Sequence, residues 1–136
     1  MKSTNYYNTF IEVADDCPVA KAEVPLSKGD KRTAAAIQYE MIISNPYKYT
    51  SDDVIFYVFA EKNGLIEEEY THQRENFFSK GQACLRCSPL VKRYGWGIHN
   101  NHEGKVAIYP LGSDKYEELI NNGDLQHVKG MRSSRM

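Results

Sequence analysis

The pattern of apolar and polar positions divides the chain into a helix-rich first half and a strand-rich second half. Residues 5–13 (NYYNTFIEV) mix aromatic and β-branched side chains in loose alternation, the signature of a half-buried strand. Asp15-Asp16-Cys17-Pro18 ends it, and residues 18–30, with two prolines, a glycine and mixed charges, read as a surface loop. Over residues 32–44, Ala34, Ile37, Met41 and Ile42 recur at helical spacing. Asn45-Pro46 stops this run, because the residue before a proline is pushed out of the helical region. Thr50-Ser51-Asp52-Asp53 then reads as a helix start, with a hydroxyl for the free N–H groups and two carboxylates for the positive end of the dipole. Residues 54–62 follow as a second helix ended by Gly64; the run is almost wholly apolar, so most of it is expected to be buried, and a buried strand fits it too. A third helix spans 67–79, polar for two turns and closing on Phe77-Phe78.

After Gly81 the period changes. Residues 83–88, 94–99 and 105–109 are short β-like runs, the last two joined by the hairpin loop 100–104. Ser113-Asp114 caps a last helix over 115–122, ended by Gly123, and 125–131 fits a closing strand. These elements predict an α+β fold over residues 1–136: one domain, a mostly antiparallel sheet, and three to four helices packed on it.

Composition agrees with that outline. With 41% hydrophobic and 26% charged residues in a 136-residue chain, one core is expected. The longest apolar run, 54–60, is too short for a bilayer, and the first residues lack the apolar stretch of a secretory signal. Membrane association is therefore not expected, and the location read from the sequence is cytoplasmic. Three cysteines (Cys17, Cys84, Cys87) then read as reduced thiols.

The net charge of −1 is unevenly spread, with 8 basic against 13 acidic side chains in residues 1–75 and 9 against 5 in residues 76–136. No acid falls between Glu75 and Glu103, an interval holding Lys80, Arg86, Lys92 and Arg93, and beyond Asp124 the charges are Lys129, Arg132 and Arg135. A weak nucleic-acid surface on this half is one reading; the acidic first half argues against it.

Candidate chemistry is sparse. Cys84-x2-Cys87-x11-His99-x2-His102 resembles a zinc pattern with a short second spacing. If 83–88 is a strand, Cys84 and Cys87 point to opposite faces, which disfavours a shared metal ion and a redox dithiol alike. A cysteine nucleophile with His99 as base needs only spatial adjacency, which a sequence does not display. The carboxylates Asp15/Asp16, Asp52/Asp53 and Glu67–Glu69 read as turn, helix cap and solvated face, so no acid–base pair is built from them. No catalytic residue, metal or cofactor is assigned.

The most informative stretch is 79–99, which holds the four cations, Tyr94, the only Trp and three glycines. Glycines on both sides of Trp96 cost strand propensity unless the backbone bends or a group approaches closely. Arg86, Lys92, Arg93, Tyr94, Trp96 and His99 are the candidate ligand-binding residues, suited to an anionic or aromatic ligand or to a protein partner. A two-fold contact burying Trp96 would make that partner a homodimer. The plainer reading makes Trp96 core, the glycines a bulge and the cations solvated. Tyr47 and Tyr49, in the connection between the first two helices, are expected to pack over that loop.

NTFIEVADDCP (8–18), QYEMIISNPYKYTSDDV (38–54), FFSKGQACLRCSPLVKRYGWGIH (77–99), EGKVAIYPLGSDKY (103–116) and KGMRSSR (129–135) together resemble a family of small single-domain bacterial proteins known only as a domain of unknown function. The resemblance spans nearly the whole chain and implies a bacterial, stand-alone protein without catalytic residues to carry over. The stretch GIHNNHEGKVAIYP and the helix after it are also similar to small α+β domains of frataxin-like or double-wing arrangement.

Overall fold

A computed structural model describes residues 1–27, 29 and 32–133. Parts of the 18–30 loop (residues 28 and 30), together with Arg135 of the basic C-terminal stretch, lie outside the described residues. The described residues form one four-stranded sheet with five α-helices, an α+β fold. In chain order these are β1 (Thr9–Glu12), α1 (Ala34–Ile43), α2 (Ser51–Lys62), α3 (Glu67–Ser79), α4 (Pro89–Lys92), β2 (Trp96–Asn100), β3 (Val106–Pro110), α5 (Asp114–Ile120) and β4 (Gln126–Lys129).

The strand order is β3-β2-β1-β4. β2 and β3 form the expected hairpin and β1 runs antiparallel to β2, but the closing strand β4 lies parallel to β1, so the sheet is mixed. β1 is shorter than its pattern suggested. Asn8 takes φ 48°, a left-handed conformation that asparagine tolerates, and the ladder begins only after it. The fifth helix, α4, is the single turn that Pro89 opens, with Ser88 as its N-cap.

Residues 83–88 are not a strand. Cys87 N–H and Ser88 N–H donate to the carbonyls of Cys84 and Leu85, at 2.9 and 3.0 Å, closing a 3₁₀ turn over Leu85–Cys87. With those amides used locally and Pro89 next in line, no sheet ladder can form. The premise that Cys84 and Cys87 lie on opposite faces of a strand is thereby overturned.

Register fixes which side chains share a face. Ile11, Ile98, Trp96, Val106 and Ile108 project from one face into the main core, which Ile42 of α1, Val54 of α2, Leu85, and Leu90 and Val91 of α4 complete. Phe10, Gly97, His99, Ala107 and Tyr109 belong to the other face, where Tyr116 and Leu119 of α5 pack on Phe10. A third cluster, Phe56, Ala60 and Phe78, joins α2 to α3.

α2 begins as its sequence suggests. Thr50 Oγ1 accepts from Asp53 N–H at 3.2 Å and the Asp53 carboxylate accepts from Thr50 N–H at 3.0 Å, a reciprocal capping box. Its burial is less complete than expected: Val54, Phe56 and Ala60 are buried, whereas Tyr57 is exposed, because α2 is flanked by α1 and α3 and leaves one side to solvent. Asp52 is buried and accepts from Thr4 N–H at 2.7 Å and from the Ser3 and Thr4 hydroxyls at 2.8 Å. That carboxylate ties the first residues of the chain to the start of α2. Among the described residues no helix is long and apolar enough to cross a membrane.

Candidate functional site

α4 places the cations. Leu90 and Val91 are buried, so the one-turn helix presents Lys92 and the following Arg93 away from the core. Arg93 and Tyr94 donate their N–H groups to Pro89 O at 2.8 and 3.1 Å, and Gly95 at φ 78° then turns the chain into β2. Opposite this corner lies the amino end of α1, where Thr33 Oγ1 accepts from Ala36 N–H at 3.1 Å. Between the two lies an open depression of about 280 Å³ lined by Thr33, Ala34, Ala35, Cys87, Pro89, Lys92, Arg93 and Tyr94.

Elsewhere the uneven charge of the two halves is folded together. Lys129 pairs with Asp15 at 2.7 Å and His127 with Glu12 at 3.4 Å. The Lys129 ammonium holds Asp15 below the usual carboxylate range. Arg32 bridges Glu40 and Glu61, and Arg74 meets Asp53 at 2.9 Å. Among the described residues, Lys92 and Arg93 have no ion-pair partner. Their combined charge therefore reaches solvent at the depression.

The six residues singled out in the sequence are not brought to one place. Lys92, Arg93 and Tyr94 share the depression. Arg86 lies off it, its Nε donating to Lys129 O at 2.7 Å and so pinning the 3₁₀ turn to β4. Trp96 is 8% exposed, its Nε1 donates to Glu23 O at 2.8 Å, and Tyr39 packs edge-on against it with ring centroids 5.2 Å apart. It belongs to the core and does not line the depression. The flanking glycines serve packing: a Cβ at Gly97 would meet the Phe10 and Tyr116 rings at 2.6 Å.

His99 leaves β2 on the opposite face from Trp96, away from the turn that carries Cys84 and Cys87. A thiol–imidazole pair is thus not assembled. His99 Nδ1 instead shares a hydrogen bond with Tyr47 Oη at 2.8 Å, and Tyr47 Oη another with Tyr109 Oη at 2.9 Å. Burial, and then the charge of Lys115, push the imidazole below its ordinary pKa. Burial and Tyr109 push the Tyr47 phenol well above its own. Tyr47 holds φ 59°, a strained conformation for a ring-bearing residue, and its N–H donates to Val106 O at 2.9 Å. This Tyr47–His99–Tyr109 cluster was not read from the sequence, where Tyr47 was expected only to pack over its loop. Nothing local in NPYKYT marks a contact that spans 52 residues.

Among the described residues no three His, Cys, Asp or Glu side chains come together as metal ligands, and His102 is exposed beside Glu103. Cys84 lies 3.3 Å from Tyr6 Oη; burial, and then the thiol, push that phenol above its ordinary pKa. A family model described only as a family of unknown function matches residues 1–136. No curated protein and no solved structure matches the chain.

Proposed function

We propose a function for this chain, a member of DUF6157, from its own geometry: it is a non-enzymatic binding module that holds a small anionic ligand between Lys92, Arg93 and Tyr94 and the amino end of α1. The carrying observation is that two adjacent cations without ion-pair partners among the described residues line one depression, opposite a helix end whose first turn has no acidic residue. Unsatisfied N–H groups and the positive end of the dipole favour an anion there. An Arg guanidinium suits a carboxylate or phosphate in a two-point contact, and Tyr94 adds a ring edge for a planar ligand. Arg86, Trp96 and His99 act outside direct contact in this reading: Arg86 and Trp96 hold the walls, and His99 belongs to the other face. From the family resemblance and the reduced thiols we read the protein as bacterial and cytoplasmic.

The test is calorimetric titration of the full chain with inorganic phosphate and with aliphatic and aromatic carboxylates, at low and high salt. We expect binding that weakens with salt and is lost in Arg93→Ala and Lys92→Ala while both variants melt like the parent. Binding that survives in both variants would overturn the reading.

A further inference from the structure

We propose that Cys84 and Cys87 form a dithiol that exchanges with small carboxylate-bearing disulfides, Cys87 attacking first and Cys84 resolving. The bond from Cys87 N–H to Cys84 O, 2.9 Å, closes a four-residue turn between them. Such a turn holds its end Cα atoms within about 7 Å, and a disulfide spans Cα separations of roughly 4.4–6.8 Å. Both cysteines also line one depression of about 150 Å³, with Gln38, Ile55, Val58 and Ser88. The far side of the turn is fixed: Ser88 Oγ donates to Gln38 Oε1 at 2.5 Å and Pro89 locks the next residue.

The two thiols are not equivalent. Cys87 is exposed, whereas Cys84 is partly buried with Tyr6 Oη 3.3 Å from its sulfur. The accessible thiol meets an incoming disulfide first, and the sheltered one completes the exchange. Cys87 also lines the larger depression beside Lys92 and Arg93. A disulfide whose carboxylates rest on those cations would have its sulfurs near Cys87. This choice of substrate rests on the anion-site reading above; the dithiol itself does not.

In the first step Cys87 loses its proton to water and its thiolate attacks one sulfur of the small disulfide. That S–S bond breaks, and the departing thiolate carries off the electron pair and takes up a proton. Cys84 then loses its proton, attacks Cys87 Sγ and expels the second thiol. The small disulfide has been reduced to two thiols, and the protein dithiol oxidised to a disulfide. Cys17, packed against the Phe10–Tyr116 cluster on the opposite face, is the internal control.

Reduced full-length protein is mixed with oxidised glutathione and followed by intact mass and peptide mapping. The parent should lose two hydrogens, with the bond mapped to Cys84–Cys87 and Cys17 still free. Cys84→Ser should stop at a stable glutathione adduct on Cys87, and Cys87→Ser should form neither. At low salt, Lys92→Ala combined with Arg93→Ala should slow the reaction with oxidised glutathione on the order of tenfold. The same change should slow the reaction with neutral bis(2-hydroxyethyl) disulfide far less, through the loss of two cations beside the Cys87 thiolate alone. A persistent adduct on the parent, without a Cys84–Cys87 bond, would sink the dithiol. Equal slowing of the charged and the neutral disulfide in the variant would overturn the carboxylate preference and leave the dithiol standing; the anion site itself falls only if the calorimetric titration shows binding that survives in both variants.

Discussion

The two faces of the sheet differ in what they ask of the same strand. Trp96 and Ile98 point from β2 into a closed apolar layer under α1, α2 and α4, whereas Gly97 and His99 point to a face covered by α5, a helix of 7 residues. The first face is mostly hydrocarbon, with the buried pair Thr9 and Asn100 at one end, and the Trp96 indole N–H is satisfied at the margin by Glu23 O. On the second, an imidazole–phenol–phenol chain, His99 to Tyr47 to Tyr109, lies within the packing and Gly97 is bare so that two rings can close over it. Alternation alone therefore separates two residues that look like parts of one site in the sequence. Proximity along a strand is a poor guide to proximity in a pocket when the two positions differ by an odd number.

The largest break in this comparison is expected from the closed face. Trp96→Ala should cost about 3–5 kcal/mol, read as a shift of the urea midpoint, because it removes the ring that Tyr39 packs on and orphans Glu23 O. Gly97→Ala probes the other face with a single added carbon. Phe10 and Tyr116 would have to move aside, at a cost of about 1–3 kcal/mol in the same measurement. If that variant is as stable as the parent, α5 is more loosely seated than its contacts imply. Thr50→Ala should cost about 1 kcal/mol through loss of the α2 capping box.

The smallest effect is electrostatic. His99 has its pKa lowered in the fold, so its contribution is fully present above the ordinary imidazole range and is lost as the pH falls through that range to the folded value. Stability measured by denaturant titration should therefore decline on acidification from neutral pH, and decline less steeply in His99→Gln. An unchanged slope would place the imidazole in water rather than in the Tyr47–Tyr109 cluster.

Much of the fold was legible because it is local. The capping hydroxyl of Thr50, the stop at Asn45-Pro46 and the hairpin around 100–104 are each written within a few residues, and the helix over 67–79 has the bounds its pattern gives. The strand expected over 83–88 failed because Ser88-Pro89 outweighs β-propensity: the proline supplies no N–H for a ladder, and the serine caps the turn of α4 instead. The parallel placement of β4 was equally unreadable, since strand direction depends on where a crossover lands and not on the strand's own residues. For the candidate site, the acid-free interval led to Lys92 and Arg93. The choice between a core indole and a ligand-facing one was left open in the sequence, because Glu23, whose carbonyl takes the indole N–H, lies 73 positions away.

The sheet order carries a consequence for how the molecule is assembled. β1 is the first strand in the chain, yet its two neighbours are β2 and β4, both in the last third. Emerging from a ribosome, the segment Thr9–Glu12 must wait through four helices before either edge is paired. Its Phe10 and Ile11, both fully buried in the finished protein, are exposed until then. A strand of four residues followed by Asp15-Asp16 is a poor template for edge pairing in the meantime. The acidic turn after β1 thus has a second use, as a guard on an unfinished edge, before Lys129 arrives to neutralise it.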